Sequence, residues 1–109
     1  MPRHSSASDV FHAVADSGRR AMLDRLSEEE ASVGTLADHA GLSYSAASQH
    51  LTVLREAGLV RSHARGRQRI YSLRPARLRL IHDWSARYQR LWGRSLKRLR
   101  RLLDEEPAR

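Results

Sequence analysis

The sequence predicts a mainly α-helical domain that carries one two-stranded β-hairpin. Two observations lead there. Apolar residues recur at steps of three and four through most of the chain, and the period drops to two only between Gly58 and Pro75. A chain of 109 residues is one domain by length, and its 40% apolar content is that of a folded globular protein. Aromatics make up only 6%, which favours helices packed through Leu and Ala.

The elements follow in order. Residues 1–8, MPRHSSAS, show no periodicity and are expected to be a mobile tail, with the folded domain over residues 9–104. Asp9 or Ser8 can cap a short helix whose Val10, Phe11, Val14 and Ala15 form an apolar stripe. After a break at Asp16-Ser17-Gly18, the run from Arg19 to Leu26 reads as a second helix with Met22, Leu23 and Leu26 inward. Glu28-Glu29-Glu30 reads as a solvated connector.

Ser32 or Gly34 opens a third helix built on Leu36, Ala37 and Ala40, and Gly41 ends it as a left-handed residue would. Ser43 is a good N-cap for a fourth helix over about 44–57, which Gly58 stops. Two helices flanking a short turn with a glycine make a helix-turn-helix. Ala37 is small where the second helix must cross closely, while Ala47 and Leu51 lock that helix down.

The fourth helix has two unlike faces. Ala47, Leu51 and Leu54 lie on one side; Ser45, Ser48, Gln49 and Thr52 lie on the other, with Tyr44 at the entrance. A solvated face usually carries Glu and Lys, so a short, uncharged, hydrogen-bonding face reads as reserved for a partner. His50 lies about 140° from Ser45 and is expected to help seat the helix.

Leu59 to Ala64 and Gln68 to Leu73 are extended runs, joined by a tip at Arg65-Gly66-Arg67. Arg61, Arg65, Arg67 and Arg69, with Gln68, make the segment of about 60–74 a basic wing able to reach a phosphate backbone or a minor groove. Pro75 suits the first turn of a long final helix. Along it run Ile81, Trp84, Tyr88 and Leu91, then Trp92, Leu96, Leu99 and Leu103 one position over. That stripe either covers its own domain or forms a dimer seam. Its length favours the seam, shared with Val10, Phe11 and Val14. The expected architecture is a winged helix-turn-helix, mainly α with a two-stranded wing, forming a homodimer through its terminal helices.

Charge points the same way. Residues 1–59 carry 5 Lys/Arg against 8 Asp/Glu, whereas residues 60–101 carry 14 Lys/Arg against the single acid Asp83. Such a segment attracts polyanions, nucleic acid foremost; a solvated Arg-rich helix is the competing reading. Arg87, Arg90, Arg94, Lys97, Arg98 and Arg101 line the surface of the last helix that the apolar stripe leaves free.

The stretch LADHAGLSYSAASQHLTVLREAGLV, the hairpin RGRQRIYSL and the opening DVFHAVADSGRRAMLDRL together resemble the ArsR/SmtB family of bacterial winged-helix transcriptional regulators. The resemblance spans roughly residues 9–103. It implies a homodimer on double-stranded operator DNA of twofold character, with a recognition helix from each protomer in a major groove. It places the family's DNA-facing residues on Tyr44, Ser45, Ser48 and Gln49, and the wing's phosphate contacts on Arg65, Arg67 and Arg69. The family's thiolate metal sites need Cys, and the chain has none. Its sites on the last helix need paired Asp/His ligands, and here only His82 and Asp83 stand near that helix's start.

Among the six histidines, His12, His39, His50, His63 and His82 lack a His or Cys partner at helical spacing. His4 differs. Removal of Met1 would leave Pro2-Arg3-His4 as a free amino terminus, able to form a square-planar Ni(II) or Cu(II) site from amine, two amides and imidazole. An incidental His in a tail is the competing reading; otherwise no cofactor is expected.

An enzyme has almost no support: there is no Cys nucleophile, no Gly-rich phosphate loop and no Ser/His/Asp spacing with a mechanism behind it. No apolar run approaches a membrane span and no signal-peptide pattern opens the chain, so the cytoplasm is the expected compartment. Two functions compete. One is a sequence-specific DNA-binding regulator, nickel-responsive if the His4 site forms. The other is a winged-helix interaction module whose basic long helix binds an acidic partner.

Overall fold

The computed structural model describes residues 6–105. Its order is α1 (Ala7–Val14), α2 (Ser17–Leu26), β1 (Ala31–Ser32), α3 (Val33–Ala40), α4 (Tyr44–Glu56), β2 (Val60–Arg65) and β3 (Gln68–Leu73). A 3₁₀ turn (Pro75–Leu78) then leads into α5 (Arg79–Ala86) and α6 (Gln89–Glu105). The architecture is a winged helix-turn-helix, mainly helical as expected.

Helix ends are set by short polar side chains. The Ser43 hydroxyl accepts from the Ala46 amide at 3.1 Å and opens α4 where the sequence placed it. Gly41 closes α3 at φ 69°, a left-handed turn that side chains resist, and the Leu42 amide then donates back to the Ala37 carbonyl at 2.9 Å. The first helix starts earlier than expected. Ser6, rather than Ser8 or Asp9, is its N-cap, and Asp9 completes a capping box by accepting from the Ser6 amide at 3.0 Å. The expected tail therefore loses Ser6, Ala7 and Ser8 to the fold. Asp16 caps α2 through the Arg19 amide, so Ser17 and Gly18 belong to that helix and not to a break.

Met22, Leu36, Leu51, Leu54, Leu59 and Val60 are the large side chains sealed in the core, joined by Val10. Burying each such side chain contributes about 1.5–3 kcal/mol. Val10 needs correcting as a seam residue: at 0% exposure its side chain has no area left to bring to a second copy. Val14 and Ile81 are half-buried and pack against the same core. Phe11 meets Trp84 edge-on at 5.6 Å, which ties α1 to α5 within one chain.

The sheet has three strands, not two, in the order β1-β3-β2, all antiparallel. The two-residue β1 pairs Ala31 with Tyr71 and Ser32 with Ile70. It is too short to show a period of two, which is why sequence pattern passes over it. Gly66, at φ 62°, turns the chain between Arg65 and Gln68, which face each other across the hairpin.

The expected single final helix is two. Arg87 and Tyr88 donate to carbonyls three residues back, Trp84 and Ser85, tightening the chain into a turn between α5 and α6. The apolar stripe shifts by one position just beyond this turn, at Trp92. On α6, Leu91, Trp92, Leu96, Leu99, Leu102 and Leu103 are all more than half exposed.

Candidate nucleic-acid interface

The face of α4 opposite the core holds Tyr44, Ser45 and Gln49 in solvent, with Ser48 half-buried beside them. Tyr44 is 65% exposed, a large aromatic left mostly in solvent. Thr52 lies on the same face but is half-buried, and its hydroxyl donates to the Ser48 carbonyl at 3.1 Å. Its proton is thus already committed inside the helix, and what remains for a partner is acceptor capacity.

The wing stands next to this face. Ser32, Val33 and Gly34 of the β1–α3 junction, Tyr44, and Arg67, Gln68 and Arg69 together line an open cleft of about 170 Å³. The cleft therefore joins the start of the helix-turn-helix, the entrance of α4 and the wing tip. Arg65, Arg67, Gln68 and Arg69 are all exposed. Arg69 donates to the Ser62 hydroxyl at 3.0 Å, which steadies its guanidinium along the hairpin. Arg67 has no ion-pair partner among the described residues.

Arg65 is already engaged: its guanidinium pairs with Glu30. That hydrogen bond holds the Glu30 carboxyl below its usual range, with the charges of Arg65 and His63 adding to the effect. Glu30 is thus more than a solvated connector. The β1–β3 pairing sets it beside the wing's sheet and the long Arg65 side chain spans the rest, a contact between residues 35 positions apart that sequence spacing does not show.

Three residues outside the expected set hold α4 in place. Arg19 is buried, and its guanidinium donates from Nε to the Ala13 carbonyl at 2.6 Å and from Nη2 to the His12 carbonyl at 3.0 Å. Its Nη1 lies 3.1 Å from His50 Nδ1, so the end of α1 and the middle of α4 share one side chain. His50 Nε2 in turn lies 3.7 Å from the Asp16 carboxylate. The Arg19 amide, followed by the charges of His50 and Arg19, lowers the Asp16 pKa. His50 therefore seats the helix as expected. Arg77 donates to the Ala57 carbonyl at 3.1 Å, closing the far end of α4, and to the Ser6 carbonyl at 3.2 Å.

Phe11, Trp84 and Tyr88 form a chain of edge-on ring contacts, with Trp84 and Tyr88 5.7 Å apart. Trp84, Tyr88, Leu91, Trp92 and Leu99 remain exposed, and Ile81 is half-covered by its own core. His82 and Asp83 do meet, at 3.2 Å, although neighbours on a helix ordinarily diverge. No group of three His, Cys, Asp or Glu side chains among the described residues is placed to hold a metal ion. His4, the candidate Ni(II) or Cu(II) ligand, lies outside the described residues. Among the described residues no helix is long and apolar enough to cross a membrane.

Comparison with known proteins agrees with this geometry. Residues 16–62 match the model of the bacterial regulatory proteins of the arsR family. The chain is 36% identical over 106 residues to the HTH-type transcriptional regulator Rv2034 of Mycobacterium tuberculosis, covering 97% of this chain and 96% of that one. It is 32% identical over 77 residues to the transcriptional repressor SdpR of Bacillus subtilis, covering 71% and 86% of the two chains. Among solved structures, NolR from Sinorhizobium fredii superposes with a TM-score of 0.63 at 36% identity, over 75% of this chain and 83% of that one. An ArsR-like transcriptional regulator from Rhodococcus sp. RHA1 superposes with a TM-score of 0.65 at 29% identity, over 88% and 91%. With a helix-turn-helix whose outer face is open, a basic wing beside it and relatives of this kind along nearly its whole length, the chain belongs to the ArsR family of transcriptional regulators, which are DNA-binding proteins and not enzymes.

Proposed function

We propose that the protein works as a homodimer on a duplex operator of twofold character. Each protomer lays α4 in a major groove and its wing on the adjoining backbone or minor groove. One observation carries this reading: Tyr44, at the entrance of the uncharged hydrogen-bonding face of α4, lines one cleft with Arg67 and Arg69 of the wing. In this arrangement Tyr44, Ser45, Ser48 and Gln49 meet base edges and nearby phosphates. Thr52 adds an acceptor, while Arg65, Arg67, Gln68 and Arg69 hold the backbone. The exposed Leu and Trp face of α6 supports pairing with a second copy, with Trp84, Tyr88, Leu91, Trp92 and Leu99 at the seam.

Fluorescence anisotropy on a duplex selected from random sequence tests the reading. Gln49→Ala should cost about 1–3 kcal/mol on the selected duplex and little on a scrambled one. Arg67→Ala should weaken both duplexes and reduce the slope of log K against log salt by about 0.9. Unchanged affinity in both variants would sink the groove assignment.

A second reading rests on the basic arc of α6, where Arg90, Arg94, Lys97, Arg98 and Arg101 are exposed opposite the apolar face. In that case the helix binds an acidic protein and α4 reads no base. Absence of a selectable duplex, together with capture of acidic polypeptides that substitutions in α6 abolish, would favour it.

A further inference from the structure

Glu30 belongs to no expected contact set, yet the structure gives it to the wing. The Arg65 guanidinium reaches it, and the register gives the two a common side: Ser32 is opposite Ile70, and Ile70 is opposite His63. Counting by twos along each strand, Glu30, His63 and Arg65 fall on one face of the sheet. The two side chains of the pair are exposed, Arg65 at 61% and Glu30 at 40%, so the contact exchanges freely with solvent and ions. Glu28 and Glu29 are exposed neighbours in the same run; Glu29 reaches back to Arg25 at 3.6 Å and takes no part at the wing.

A carboxylate and a phosphodiester oxygen offer a guanidinium the same thing: a monoanionic acceptor for its N–H fork. Arg65 cannot give its full fork to both. We propose that Glu30 is a built-in phosphate mimic, occupying Arg65 in the DNA-free protein and competing with the backbone for it. This inference rests on the DNA-binding reading of the wing. Glu30 thereby sets the strength of the sequence-independent part of binding. Each wing approaches DNA with Arg67 open, Arg69 steadied by Ser62, and Arg65 released only when a phosphate displaces the carboxylate. Base readout from α4 is left untouched, because Glu30 engages an arginine of the wing, Arg65, which is assigned to the phosphate backbone.

The test compares the full chain with Glu30→Gln, Arg65→Gln, the double variant and Glu28→Gln. Each is titrated by fluorescence anisotropy into the selected duplex and a scrambled one. Active fractions are set by stoichiometric titration, so that a folding defect is not read as lost affinity. Exposed ion pairs are worth up to about 1 kcal/mol, so Glu30→Gln should tighten binding to both duplexes by about two- to fivefold at low salt. The gain should fade as salt rises, vanish in the Arg65→Gln background, and be absent from Glu28→Gln. Equal or weaker binding by Glu30→Gln overturns the proposal, since the pair would then be a strut that holds the wing ready. A gain that survives without Arg65, or that Glu28→Gln reproduces, also overturns it by showing a general charge effect. Wild-type protein that binds neither duplex would remove the DNA reading and this inference with it.

Discussion

Replacing Arg19 with Met probes how α4 is held. The side chain is 8% exposed and makes three contacts: two to carbonyls at the end of α1 and one to His50. Hydrogen bonds from a charged donor contribute about 1.5–3 kcal/mol each, but they share one guanidinium and do not add. Against them stands the cost of taking that cation out of water, several kcal/mol for a buried ion. The balance is decided by what Met leaves behind. The His12 carbonyl keeps the Ala15 amide at 3.1 Å, whereas the carbonyl of buried Ala13 loses the 2.6 Å bond from Arg19 Nε. An unsatisfied buried acceptor costs about 1–3 kcal/mol, and the positive end-charge lost from the C-terminus of α1 adds up to about 2 more. We expect a loss of about 3 kcal/mol, read as a lower urea midpoint at unchanged slope and fixed protein concentration. Arg19→Lys should recover little of it, because one ammonium cannot span Ala13, His12 and His50 together. A cycle with His50→Ala should show a coupling of about 1 kcal/mol between the two side chains. If Arg19→Met lies within about 0.5 kcal/mol of wild type, desolvation has cancelled the bonds, and the account of Arg19 as the main tie between α1 and α4 is wrong.

Other consequences are open to direct measurement. Gly58→Ala should cost at least about 1 kcal/mol by chemical denaturation, since Gly58 sits at φ 78° and a Cβ there would fall 2.7 Å from the Arg77 side chain; a neutral result would contradict both the backbone strain and the Arg77 clash. Leu99→Glu places a charge in the exposed apolar face of α6, so light scattering should report monomer for the variant and dimer for wild type. Dimer in both would move the seam elsewhere. The Asp16 and Glu30 carboxyls titrate lower in the fold than in the unfolded chain. Their stabilisation is therefore fully present at neutral pH and is lost as pH falls through the carboxylate range, below about pH 4. Asp16→Asn should flatten the acid limb of a plot of urea midpoint against pH, and an unchanged limb would contradict the assignment.

Most of the helix-turn-helix was legible because its signals are local. Ser43, Gly41 and Gly58 act on their own turns, and the opposed faces of α4 are separated by simple rotation along one helix. The same holds for the wing, whose tip glycine and flanking alternation are adjacent in sequence. What escaped depends on residues far apart along the chain. Arg19 and His50 are 31 positions apart, and Glu30 and Arg65 are 35 apart. An arginine in an amphipathic helix reads as solvated until the carbonyls it satisfies are brought beside it. Likewise Val10 reads equally well as core or seam, because burial by one's own chain and by a second copy leave the same apolar pattern. The turn at Arg87 and Tyr88 contains neither Gly nor Pro, and nothing in composition marks it.

The unequal anchoring of α4 and the wing has a mechanical consequence. One helix is tied at its middle through His50 and Arg19 and at its end through Ala57 and Arg77, while the side chains at the hairpin tip, beyond the strand pairing itself, make exposed contacts. The protein is thus stiff where it would read bases and compliant where it would follow a backbone. Meeting DNA of varying groove width, the reading surface keeps its shape, and the hairpin absorbs the misfit.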